Sequence, residues 1–211
     1  MSLFSIGVSC LPKFGIDEFA CTTHTYFYDW LITDLTSLEK SLTDFQEEKF
    51  LNSGTEICDN GLGVKDNHTG LRFQHDFPST PEGKIIPELI SDNINCVKEK
   101  YLRRRARFFK SVSEDDFPIF TRYEWGGINH NDLKRIQQAL TSAFSRNFKL
   151  IILSSRVEKQ ASHGSADIFP VTQLADTPWK ASAASWNAIL DHCKRNYGIS
   201  SIEGACQHKR L

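Results

Sequence analysis

The sequence predicts an α/β protein, a layered and mainly parallel sheet flanked by helices. Short apolar runs alternate with segments whose apolar residues recur every three or four positions, in the order strand, helix, four times over. The run Leu150-Ile151-Ile152-Leu153 is a continuous apolar strand. The chain has 211 residues, is 40% hydrophobic and carries 15 Phe and 4 Trp, enough for one large core. The expectation is a single domain over 1–211, with a loop or hairpin excursion at about 52–83.

The first strand is expected over Leu3–Ser9, and Pro12 suits the first turn of a helix. Helical potential over Pro12–Cys21 is short and weakened by Gly15. Tyr26–Trp30 opens a stronger helix, with Leu31, Leu35, Leu38, Leu42 and Phe45 on one stripe and an end near Phe50. The polar, Gly- and Asn-rich stretch 52–70 reads as a loop or hairpin. Leu71–Phe77 alternates apolar and polar residues, predicting a short strand, and Pro78–Gly83 is a turn or lid.

A second strong helix spans about Glu88 to Lys110, with Ile90, Ile94, Val97, Tyr101 and Phe108 on one face. Phe117–Phe120 forms a strand that ends in Thr121–Glu124, and Trp125-Gly126-Gly127 interrupts the chain. A third helix starts near Asn131 or Asp132 and turns Leu133, Ile136, Leu140 and Phe144 inward. The last starts near Ala181 and carries Trp186, Ile189, Leu190, Cys193 and Tyr197 at helical spacing.

Net charge is −1, which gives no bias toward nucleic acid or a membrane surface. No apolar stretch reaches the roughly 20 residues of a membrane span, and no signal peptide is expected. The six Cys, at 10, 21, 58, 96, 193 and 206, form no Cys-x-x-Cys and no zinc-finger spacing. Free thiols in a reducing cytoplasm follow, with no metal and no cofactor. The basic run Arg103-Arg104-Arg105-Ala106-Arg107 spreads around its helix. It is a solvated face or, since guanidinium forks match carboxylates and phosphates, an anion clamp.

In a parallel sheet, function gathers at the carboxyl ends of the strands. Those ends carry Cys10, Arg122 with Glu124, and Ser154 with Ser155. A thiol at a helix start is favoured as thiolate, the nucleophilic form; packing as a small apolar residue is the alternative for Cys10. A cysteine nucleophile needs a histidine base. His75, between Phe73 and Phe77, is the first candidate, and His163 in the loop after the Leu150 strand the second. His24 and His130 read as loop and helix-start residues. Asp76 faces away from its neighbour His75 if both lie on a strand. Asp29 stands among the candidate catalytic residues, with helix capping above a packed Trp30 as the alternative.

Several short motifs then fall in a telling order: Ser5-Ile6-Gly7-Val8-Ser9-Cys10, Phe27-Tyr28-Asp29-Trp30, His75-Asp76-Phe77, Arg104 to Phe108, and Phe120-Thr121-Arg122. Over roughly residues 3 to 155 they resemble a bacterial family of papain-like cysteine peptidases, a domain of otherwise unknown function. Val8 replaces a small polar residue of that pattern, and Phe27-Tyr28 replaces Pro-Phe. The resemblance implies Cys10 as nucleophile and His75 as base, with a papain-like α+β fold as the alternative architecture. It also implies a glycan-directed role, because members associate with surface-polysaccharide genes.

The expected activity is a cysteine-dependent hydrolase or acyl transferase. Cys10 attacks an acyl carbon and His75 or His163 moves the proton. Arg104, Arg107 or Arg122 holds an anionic group, and Trp30 and Asp76 line the site. A glycan-modifying transferase that binds an anionic sugar or phosphate through arginine, and a non-catalytic binding module, are the alternatives.

Overall fold

The computed structural model describes residues 2–19, 24–174 and 176–198. In chain order the elements are β1 (Leu3–Ser5), α1 (Leu11–Phe19), β2 (Leu31–Ile32), α2 (Leu35–Thr43), β3 (Thr55–Cys58), β4 (Gly63–Asp66), β5 (Arg72–Phe73) and α3 (Ile90–Glu114). They continue with β6 (Ile119–Tyr123), α4 (His130–Phe144), β7 (Lys149–Ser154), β8 (Ala161–His163), β9 (Ala166–Pro170), β10 (Gln173–Leu174), β11 (Thr177–Ala181) and α5 (Ala183–Tyr197).

The main sheet has the order β1-β6-β7-β9-β8, with β1, β6, β7 and β9 parallel and β8 antiparallel at the edge. This is the expected layered α/β architecture rather than the papain-like alternative. Alternate strand residues serve opposite faces. Phe4, Phe120, Leu150 and Ile152 join the core beneath α2, α3 and α4, whereas Leu3, Ile119, Ile151 and Leu153 join the core beneath α1 and α5. A second, antiparallel sheet of order β2-β5-β4-β3 holds the 52–70 excursion, and β10 and β11 form a separate pair.

The long helix expected from Tyr26 to Phe50 is shorter and starts later. Trp30 has φ 67°, Leu31 and Ile32 pair with Phe73 and Arg72, and only then does α2 begin. Its N-cap is Asp34, whose Oδ1 accepts from Ser37 N at 2.8 Å, so Asp29 caps no helix. The apolar stripe misled because its two ends, Leu31 and Phe45, pack into the core although non-helical.

The sequence-predicted loop after β7 holds β8 and β9, the latter completing the parallel sheet. The strand expected over Leu3–Ser9 stops at Ser5, and the one over Leu71–Phe77 shrinks to β5. Gly15 lies inside α1 for a steric reason: a Cβ there would sit 1.8 Å from Trp186 Cε2 on α5. Cys21 and Cys206 lie outside the described residues; Cys10, Cys58, Cys96 and Cys193 are free thiols. No helix among the described residues is long and apolar enough to cross a membrane.

Candidate active site

The chain leaves β1 through a strained turn. Gly7 and Val8 both adopt left-handed backbone, φ 82° and 72°, and a β-branched residue such as Val8 rarely does. A side chain at Gly7 would meet Thr33 Oγ1 at 2.5 Å, so the two loops touch there. Arg122 ties them together. Its Nη1 donates to Ile6 O at 3.1 Å, its Nη2 to Thr33 O at 3.0 Å, and its Nε to Glu124 Oε1 at 2.6 Å. With 1% of Arg122 exposed, these donors serve the protein, which removes it from the substrate clamp expected from the sequence.

Cys10 sits at the end of this turn, half-buried, and accepts the first helical bond of α1 from Phe14 N at 2.8 Å. That is the helix-start position expected. Its chemistry differs: burial pushes the Cys10 thiol up, and its own backbone N–H only partly offsets this. Desolvation of the anion is the larger effect and favours the thiol at rest.

Behind Cys10, one turn along α1, lies the buried Lys13. Its ammonium meets Asp17 Oδ1 at 2.6 Å, the carbonyl of His24 and Asp29 Oδ2 at 3.3 Å. Asp29 is equally buried, and its Oδ2 also accepts from Tyr26 N at 2.7 Å while Oδ1 has no partner. Burial pushes the Asp29 carboxyl up to about 6, against the pull of Lys13. Lys13 was not among the sequence candidates. The one available signal was a cation between the apolar Leu11 and Ile16, three residues after the cysteine.

Trp30 follows Asp29 and turns its ring to His75, with centroids 6.5 Å apart and planes at 85°. His75 is solvent-exposed. Together with Asp76, Lys100 and Arg104 these residues line an open cleft of about 350 Å³. Asp76 pairs through Oδ1 with Lys100 and accepts through Oδ2 from the Tyr101 hydroxyl at 2.8 Å. Burial, then the Asp76 charge, push the Tyr101 hydroxyl well above its ordinary value. Arg104 lies over the Tyr101 ring at 4.9 Å.

The structure therefore gathers Trp30, His75, Asp76 and Arg104 around one cleft, which Cys10 does not line; Lys13, three positions after Cys10, pairs with Asp29, the neighbour of Trp30. No hydrogen bond or ion pair joins Cys10 to a histidine among the described residues. Arg107 is exposed and donates to Thr25 O at 3.0 Å, and it does not line the cleft. His163 is misplaced as a base for Cys10. It lies on β8, at the opposite edge of the sheet from β1, about 19 Å away at the usual strand spacing. It also pairs with Ala166 at the amino end of β9, whereas Cys10 follows the carboxyl end of β1. Ser154 and Ser155 are occupied locally, Ser154 Oγ accepting from Arg156 N at 3.2 Å and Ser155 Oγ from the Tyr123 hydroxyl at 3.2 Å.

Comparisons with protein-family models, with curated proteins and with solved structures found no match.

Proposed function

We propose that this protein is a cysteine-dependent hydrolase or acyl transferase of the cytoplasm, with Cys10 as nucleophile and His75 as base. One relation supports the reading above all. Lys13, a turn beyond Cys10, holds Asp29, and Asp29 places Trp30 against His75. Cys10 itself stands at the end of a strained turn of the kind that clusters at active sites.

Because Cys10 rests as a thiol, deprotonation accompanies attack. His75 takes the proton as sulfur bonds to the acyl carbon, and the positive end of α1 favours the developing oxyanion. His75 then returns the proton to the leaving group. Water, or an acceptor hydroxyl or amine, attacks the thioester and frees Cys10.

Turnover of thioester, ester and activated amide compounds by wild type, Cys10→Ala and His75→Ala tests this. Activity lost in Cys10→Ala and reduced about 10²- to 10⁴-fold in His75→Ala, the usual weight of a general base, supports it. Activity that survives in Cys10→Ala removes the thiol from the mechanism.

A second reading has its own observation, the half-buried guanidinium of Arg104, which makes no hydrogen bond or ion pair among the described residues. In it the protein is a glycan-modifying transferase that holds an anionic sugar or phosphate, and Cys10 only packs. It predicts full activity in Cys10→Ala.

A further inference from the structure

We infer that the cleft between β5 and α3 is an oxyanion-recognition subsite, in which Arg104 binds a carboxylate or phosphate of the substrate against the Trp30 ring. The inference rests on the proposed active site and names the class of substrate that it takes.

Four observations converge. Arg104 is the charged side chain of this cleft that lacks a counterion. Lys100 and Tyr101 both engage Asp76, whereas among the described residues Arg104 makes no hydrogen bond or ion pair and lies over the Tyr101 ring. Its Nη1 is shut off from solvent with no acceptor among the described residues. An uncompensated, half-buried guanidinium is costly, and an arriving oxyanion removes that cost through a forked contact.

The balance of charge points the same way. Two cations, Lys100 and Arg104, face one carboxylate, and that carboxylate already accepts from two donors. The volume, about 350 Å³, falls within the range of small-molecule sites, roughly 300–1,000 Å³. The cleft lining also holds the Trp30 and His75 rings in edge contact, which suits a ring or other flat group carrying the anion.

The neighbouring arginines show what commitment elsewhere looks like. Arg105 is sandwiched between the Phe45 and Phe109 rings at 4.1 and 4.3 Å. Arg103 is exposed beside Glu99, and Arg122 serves the backbone. Arg104 alone of the run lines the cleft.

Calorimetric titration of the full chain with benzoate, phenyl phosphate and inorganic phosphate at low ionic strength tests the inference. The expected result is saturable binding of benzoate or phenyl phosphate, weakened at least tenfold in Arg104→Gln. Arg103→Gln should change it less than twofold. The tighter of the two aromatic anions identifies the group, and binding of inorganic phosphate as tight as phenyl phosphate assigns the site to the phosphate group without a contribution from Trp30. Arg104→Met should raise the melting temperature of the unliganded chain while abolishing binding.

No saturable binding by any probe, or wild-type binding in Arg104→Gln, overturns the inference. So does a lower melting temperature in Arg104→Met, which would mark Arg104 as a structural residue. Anion binding with no acyl turnover would remove the catalytic reading alone. Acyl turnover without anion binding would remove this one alone.

Discussion

Lys13 and Asp29 form an ion pair at 3.3 Å with 3% and 1% of their side chains exposed. The pair makes stability depend on pH in an uncommon sense. Burial raises the Asp29 carboxyl to about 6 from its ordinary 3.8, so the folded chain binds this proton more tightly than the unfolded chain. Its contribution to stability grows as pH falls from 7 through about 6 and levels off below about 4. The size is on the order of 1–3 kcal/mol. Denaturant unfolding from pH 4 to 7.5 should show this slope in wild type and lose it in Asp29→Asn. A difference between the two that is flat with pH would mean that Asp29 is charged throughout.

Removing the other partner should be worse at neutral pH. Lys13→Met leaves a buried carboxylate without its cation, a change that typically costs about 3–5 kcal/mol. The loss should shrink at pH 5, where Asp29 takes up a proton. Urea midpoints at the two pH values check this.

Gly15 and Trp186 make a steric prediction. Gly15→Ala drives a methyl to within 1.8 Å of the indole and should destabilise the chain by about 1–3 kcal/mol despite alanine's better helix propensity. Trp186→Leu in the same chain should make the Gly15→Ala step nearly neutral. Additive losses in the double mutant would show that α1 and α5 do not meet there.

Cysteine reactivity orders the thiols. Burial pushes Cys10 up, burial and Asp59 push Cys58 to about 11, and burial pushes Cys193 to about 12. Cys96 is exposed. Iodoacetamide at pH 8, followed by peptide mass spectrometry, should label Cys96 first and Cys193 last among these four thiols. Cys10 labelling should rise with pH past the ordinary thiol range, and labelling that is already maximal at pH 6 would place a thiolate there.

Arg122→Lys tests the loop staple. Lysine keeps the charge but cannot reach Glu124, Ile6 O and Thr33 O together. A loss of roughly 3 kcal/mol is expected from the broken buried contacts. Anion binding in the cleft should survive wherever the variant is folded, since Arg122 lines a different pocket with Val8 and Glu124. Calorimetry on the folded variant checks the second half.

Much of the fold was legible locally. The run Leu150–Leu153 is β7, and the Leu133, Ile136 and Leu140 stripe is α4, because their apolar periods match what their environments bury. The start of α2 was not legible. Leu31 fits a helical stripe by spacing, yet it pairs with Phe73 in a sheet, a partner 42 positions away that no local pattern reveals. β9 was hidden by Asp167, a polar residue in a buried strand. Its carboxylate takes bonds from Ser162 at 2.7 Å and His192 at 2.8 Å and an ion pair from Lys149 at 3.2 Å, and these partners meet it only after folding.

The site divides in the same way. Short-range chemistry already placed Cys10 at a helix start after β1, whereas the strand alternation expected to turn Asp76 away from His75 does not apply, because both lie beyond β5 and line the same cleft. Tertiary structure alone decided that Asp29 pairs with Lys13 instead of capping a helix, that Arg122 staples two loops, that His163 stands at the far edge of the sheet, and that Arg104 is left without a counterion. The reason is physical. Secondary structure depends on neighbours a few residues apart, whereas desolvation and ion pairing depend on which distant side chains share the same buried space.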